Sequence, residues 1–279
     1  MESWEFKTKK IHYKKRIIQT YSFGSGKKKV LALPAFPHSG LIYGNFFKYN
    51  TYHDIELITL DLPGWVGDSE NIFENNEFSF DECVEICLRI LRNYNVKKVS
   101  IIGFSFGTAI ETLLAYKIRN RIEKLVYVSP FLDRHLGMDD YNLAVIQRAY
   151  NWKMSKTLKF YVRTRFDFIY SKVLKQSGMP KELLLEYRKL ILKSEPKTLL
   201  ESIHQLFSVD LRRYLKLLTD IPVLVINSKE ENKMFRRNAA MIRRLSKNDK
   251  SLYIHGRHED FLLKPYRTVC TKVLDFLDR

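Results

Sequence analysis

Apolar residues along this chain fall either into short continuous runs or into runs spaced by three and four. The runs at 30–33 and 55–60 each deliver the chain into a turn rich in Pro and Gly, as buried strands do at their ends. Ser79-Phe-Asp-Glu82 fits a capping box, in which the serine and glutamate side chains satisfy free N–H groups at a helix start. The helix it opens runs to about Tyr94, with Val84, Cys87, Leu88 and Leu91 on one face. Next come a buried strand at 99–104, a helix at 108–119 and a strand at 125–128. This order predicts a mostly parallel sheet with right-handed crossovers.

After Phe131 the rhythm changes. From 134 to 220 the pattern is helical, with amphipathic stretches around 141–150, 155–174, 181–193 and 198–218. Strand character returns at 221–226, followed by a helix near 238–245, a strand at 251–254, a loop and a last helix at 266–277. The expected organisation is an α/β core in two pieces, 1–133 and 221–279, interrupted by an all-helical insertion at 134–220.

The length of 279 residues suits one such domain, since α/β domains reach roughly 250 residues. With 45% hydrophobic residues the chain is neither disordered nor collagenous. Cys83, Cys87 and Cys270 are odd in number and make no CxxC, so neither a disulfide framework nor a structural metal is expected. Cys83 and Cys87 read as core residues of their helix. The polar, lysine-rich N-terminal segment lacks the apolar stretch of a secretory signal, and no window approaches the roughly 18 apolar residues that span a bilayer. A reducing cytoplasmic setting and no membrane insertion are expected.

Charge is the unusual property. Lys and Arg number 48 against 31 Asp and Glu, a net +17. The helical insertion alone has 17 basic against 9 acidic residues, so about a third of the chain carries 8 of those charges. Such a balance attracts nucleic acid, anionic membranes or acidic substrates, yet it equally describes a solvated basic surface. Basic residues are spread over nearly every segment and no nucleic-acid-binding motif is present, so no specific nucleic-acid partner is expected.

The chemistry centres on Gly103-Phe-Ser-Phe-Gly107, a GxSxG placed between a strand and a helix. There the sharp turn lifts Ser105 out of the sheet, and the flanking glycines leave room for a strained serine. A serine hydroxyl is a poor nucleophile at neutral pH and needs a base within hydrogen-bond reach and a group to orient that base. The N–H of Phe106, directly after the nucleophile, is one candidate donor to an oxyanion.

On these residues the chain resembles the α/β-hydrolase family, from about Lys29 to the C-terminus, with the insertion as an unmatched cap. The resemblance includes Asp61-Leu-Pro-Gly-Trp-Val-Gly-Asp-Ser69, close to the family's DxPGxGxS loop, and Gly256-Arg-His258 followed by Pro265. It implies His258 as the base, with His255 at the strand end a poorer match. It places the acid in the loop after 221–226, where counting from Ser228 in place of the usual Gly reaches Glu231; Glu230 and Asp133 are the alternatives. It gives the second oxyanion donor to the Phe36 N–H, in a loop that reads Pro34-Ala-Phe-Pro37 where the family has His-Gly-x-Pro. His38 and Ser39 read as solvated loop residues or as substrate contacts, and the Asp61 loop as a structural turn.

These residues point to a serine hydrolase that cleaves a carboxylic ester or related acyl compound through an acyl-enzyme on Ser105, with no cofactor and no metal. Haloalkane dehalogenase and epoxide hydrolase chemistry is disfavoured because both use a carboxylate nucleophile in this fold. Carbon-carbon bond hydrolases, lactonases and acyltransferases retain the serine and stay open, as does a catalytically weak ligand-binding protein on the same scaffold. The partner is a small acyl substrate, and oligomeric state is not readable. Its pocket would lie under the cap. Trp152, Phe160, Tyr161, Phe166, Phe168, Tyr170 and Phe207 supply apolar surface there, most of it read as core between cap helices and sheet and about two of the seven as pocket lining, while Arg163, Arg165, Arg212 and Arg213 either favour an acidic substrate or face water.

Overall fold

The computed structural model describes residues 5–133 and 194–279 apart from 248, 257, 259, 264 and 265. Its centre is one eight-stranded sheet of β1 (Phe6–Tyr13), β2 (Arg16–Gly24), β3 (Lys28–Leu33), β4 (Ile55–Leu60), β5 (Val99–Phe104), β6 (Ile122–Val128), β7 (Val223–Ser228) and β8 (Asp249–Ile254). The spatial order is β1-β2-β4-β3-β5-β6-β7-β8. β1 pairs antiparallel with β2 and β2 antiparallel with β4, while every pair from β4 through β8 is parallel. The described helices are α1 (Gly44–Phe47), α2 (Phe80–Asn93), α3 (Gly107–Lys117), α4 (Pro196–Leu206), α5 (Arg212–Leu215), α6 (Lys233–Leu245), α7 (Asp260–Leu263) and α8 (Arg267–Asp278).

Strand order reverses at β3: the chain leaves it to form β4 on one side and returns to form β5 on the other. Loops leaving the carboxyl ends of β3 and β5 therefore flank a crevice, the place where open α/β sheets bind ligands. Side chains along the parallel strands alternate between two cores. Leu31, Ile101, Leu125 and Val225 join Cys87 of α2 and Ile110 of α3 in one; Ala32, Ile102, Val126 and Ile226 join Cys270 and Val273 of α8 in the other. All three cysteines are buried free thiols, and Cys83 and Cys87 pack in the core as their spacing predicts.

The central alternation of strands and helices follows the sequence pattern to within a few residues. Three details differ. The first is the β1–β2 hairpin, which the pattern does not announce: its two-residue turn is Lys14-Lys15 at φ 46° and 63°, without the Asn-Gly that usually marks such turns. The second is the capping box. Ser79 Oγ accepts the Glu82 N–H at 3.3 Å, but the Glu82 carboxylate turns outward to Tyr13 and Lys14, both at 2.7 Å, and ties the hairpin to α2.

The third is the expected continuous helix at 198–218, which breaks into α4 and α5. α4 ends at Leu206, and before α5 begins the Asp210 carboxylate accepts the Arg212 N–H at 3.1 Å while its backbone bridges to Asp133. Of the expected insertion at 134–220, residues 134–193 lie outside the described residues, and with them Trp152, Phe160, Tyr161, Arg163, Arg165, Phe166, Phe168 and Tyr170. Among the described residues no helix is long and apolar enough to cross a membrane.

Candidate active site

Ser105 follows the last residue of β5 and adopts φ 51°, a left-handed conformation that only a tightly held turn imposes on serine. Its N–H donates to the Val128 carbonyl at 2.8 Å, and its carbonyl accepts the Thr108 N–H at 3.0 Å and the Thr108 hydroxyl at 2.5 Å. The two motif glycines are sterically required. A Cβ on Gly107 would lie 2.4 Å from the Leu33 carbonyl oxygen, and one on Gly103 would lie 2.3 Å from Glu111 Oε2 and 2.8 Å from the Thr108 Cα. Strand β3, the start of α3 and the elbow thus touch with no room for a methyl group.

The loop after β7 and the loop after β8 are held together at the same end of the sheet. The Lys229 N–H donates to the Ile254 carbonyl at 2.9 Å, and the Ser228 hydroxyl donates to the Gly256 carbonyl. This brings His258 Nδ1 to 3.0 Å from Glu231 Oε1. The other oxygen, Oε2, accepts the hydroxyl of Ser129 at 2.5 Å, and Ser129 follows β6 with φ 45°. The imidazole lies between two rings, that of Phe104 immediately before Ser105 at 5.1 Å and that of Phe235 at 4.5 Å between centroids. Burial pushes the Glu231 carboxyl up, but the hydrogen bond and charge of His258, the Ser129 hydroxyl and the Asn232 N–H outweigh it and hold the group below the usual glutamate value.

The other acid and base candidates are engaged elsewhere. Glu230 is exposed, the buried Asp133 carboxylate faces Arg212 Nε at 3.3 Å, and exposed His255 lies 3.3 Å from Lys229 Nζ. Among the described residues, the N–H groups of Phe36 and Phe106 donate no backbone hydrogen bond, and their rings lie 6.4 Å apart. Trp65 packs edge-on against both rings, at 5.1 Å and 4.7 Å, and donates its indole N–H to Ser202 of α4 at 2.9 Å. The loop carrying Trp65 therefore packs against both side chains and ties them to α4, in the last part of the expected insertion at 134–220.

His38 and Ser39 are not solvated as their loop position suggests; both are buried. Ser39 donates to Asp61 Oδ1 at 2.5 Å, and Asp61 also accepts the Gly40 and Asp68 N–H groups and the Tyr21 hydroxyl. Burial raises the Asp61 carboxyl to about 6 in spite of those four donors, Ser39 first among them. The Cβ of any residue at 67 would lie 2.2 Å from the Asp61 carboxyl carbon, so the glycine there lets the loop close over this hub, a structural turn as expected. Burial lowers the His38 imidazole to about 4, with the charge of nearby His258 adding to the effect.

Sequence reasoning missed Ser129, the rings about His258 and Glu111. Glu111 is fully buried one turn into α3, accepts the Val126 N–H at 3.2 Å, and is pushed by burial well above the usual carboxylate range. A serine in a strand-end turn and an acid inside an apolar helix carry no sequence signal of such partners. Among the described residues no three His, Cys, Asp or Glu side chains cluster as a metal site.

A family model described as the alpha/beta hydrolase fold matches residues 29–265. A Drosophila melanogaster protein named "Probable serine hydrolase" is 31% identical over 75 residues, which is 27% of this chain and 23% of that protein, so the chain matches about a quarter of that relative's length. The solved structures it resembles differ widely in chemistry. A bromoperoxidase from Bacillus anthracis has TM-score 0.76 at 20% identity, covering 98% of this chain and 100% of the other. An esterase from Exiguobacterium antarcticum has 0.73 at 16%, covering 97% and 99%. The haloalkane dehalogenase DatA from Agrobacterium tumefaciens has 0.78 at 16%, covering 98% and 97%. Such neighbours share architecture, while the motif order and the match over most of the length are matters of descent: the chain belongs to the α/β-hydrolase family.

Proposed function

We propose that the chain is a serine hydrolase of the carboxylesterase type, acting on a carboxylic ester or related acyl compound. The observation that carries this reading is His258 Nδ1 at 3.0 Å from a buried carboxylate that Ser129 in turn fixes, with the imidazole against the residue preceding the elbow serine. That arrangement presents the other ring nitrogen as a base in a set orientation.

In this mechanism Ser105 Oγ attacks the ester carbonyl carbon and its proton passes to His258 Nε2. Glu231 holds the ring and stabilises the imidazolium, and the N–H groups of Phe36 and Phe106 receive the developing oxyanion. The C–O bond to the alcohol breaks as His258 returns the proton to the departing oxygen. Water, giving a proton to His258, then attacks the acyl carbon; the bond to Ser105 Oγ breaks as His258 returns that proton to it, and the acid leaves. Each oxyanion donor contributes roughly 3 to 4 kcal/mol in such sites.

Hydrolysis of p-nitrophenyl butyrate tests the reading, together with labelling by a fluorophosphonate probe and peptide mapping. Ser105→Ala should lower kcat by at least about 10^4 and abolish labelling. Hydrolysis unchanged in that variant, or a label mapped to another serine, overturns the assignment.

A further inference from the structure

Helix α6 buries Met234, Ala239 and Ile242 in the core, and Met241 and Leu245, packed in part against that core, join Ala240 in lining a groove of about 900 Å³ whose other wall is α5 and the residues just after it. Leu217 stands in that wall with 47% of its surface exposed. The groove's rim is cationic: Arg213, Lys216, Arg237 and Arg244 line it beside Arg212. Its one acid, Asp210, is committed to Arg212, at 2.5 Å from Nη2 and 2.8 Å from Nε. Among the described residues, Arg213, Lys216 and Arg244 have no carboxylate in salt-bridge range. Arg213 instead stacks on Tyr214 at 4.6 Å.

From these features we infer that the groove binds a free single-chain amphiphile, with its aliphatic tail along Leu217, Met241 and Leu245 and its anionic head among the unpaired cations. The volume falls in the range of small-molecule pockets, roughly 300 to 1,000 Å³. The lining contains no aromatic ring on which a nucleobase could stack, and concave walls do not match a flat bilayer. Apolar floor and charged rim together fit a molecule that has both characters. None of the lining residues belongs to the candidate active site. α6 runs from the carboxyl end of β7 back towards the start of β8, about 20 Å for its 13 residues, so Arg244 and Leu245 lie at the opposite end of the sheet from Ser105. The inference does not depend on the hydrolase reading.

The test is methyl NMR on the full chain with carbon-13 methionine methyl groups, the Met241 signal being assigned with Met241→Leu. Decanoate should shift that signal saturably, while decan-1-ol and inorganic phosphate at equal concentration should not. The triple variant R213E/K216E/R244E should weaken decanoate binding about ten-fold or more. Leu217→Asn, a single exposed substitution, should weaken it as well and serves if the triple variant fails to fold. The proposal is overturned if decanoate leaves Met241 unmoved, if charge reversal or Leu217→Asn changes nothing, or if decan-1-ol acts equally. It is also overturned if an oligonucleotide or anionic phosphatidylglycerol vesicles shift Met241 where decanoate does not.

Discussion

Glu231 experiences two opposing influences, removal from water and a concentration of donors, and the donors win. Replacing it with Gln keeps the shape but offers His258 an amide, which favours the wrong tautomer; kcat should fall on the order of 10^4 with little change in KM. Ser129→Ala removes only one hydrogen bond from the same carboxylate, and a loss of about ten-fold in kcat is expected. Steady-state kinetics on the p-nitrophenyl ester distinguish the two. His38 and Asp61 make a second pair of opposed residues, this time in their effect on stability. His38 titrates near 6.5 unfolded and about 4 folded, so stability is full above pH 6.5 and is lost as pH falls towards 4, by roughly 3 kcal/mol. Asp61 titrates near 3.8 unfolded and about 6 folded, so its contribution is lost as pH rises from 4 to 6. The two slopes nearly cancel. Asp61→Asn should expose the acid loss of His38, and His38→Asn should make the protein more stable as pH falls through that window; thermal melts at pH 4.5 and 6.5 read both.

At the level of elements, backbone conformations carry the sharpest expectations. Lys14 and Lys15 both occupy left-handed conformations that cost a side chain about 1 kcal/mol each, so Lys15→Gly, which leaves the Lys14–Glu82 pair in place, should stabilise the β1–β2 hairpin by about 1 kcal/mol in denaturant unfolding. Gly107→Ala should have the opposite result, losing about 1 to 3 kcal/mol together with any hydrolysis of the p-nitrophenyl ester, because the new Cβ meets main-chain oxygen that cannot step aside. These two sites also mark the limit of what the sequence discloses. The elbow was legible because a strand, two glycines and a helix coincide around one serine. The hairpin was not, since lysines at its turn and along β1 imitate a solvated tail. Glu231 was reachable only by counting along a loop, because its partner Ser129 lies 102 residues away and proximity across a sheet leaves no periodic trace. The break between α4 and α5 escaped for a related reason: the apolar spacing continues through it, while the bridge from Asp210 to Asp133 that holds the intervening chain is a contact across 77 residues.

Over the whole molecule a net charge of +17 weakens the compact state through self-repulsion. Added salt shortens the range of that repulsion to about 10 Å at 0.1 M, so the melting temperature should rise between low and moderate ionic strength, a trend measurable by calorimetry. The same charge acts where the sheet ends. β1 is its outermost strand on one side, with a row of main-chain donors and acceptors facing outward, and Lys7, Lys9 and Lys10 fall within four consecutive positions of it. A second copy approaching to extend the ribbon would set cation against cation along the seam, which makes β1 a guarded border and not a template for fibrils.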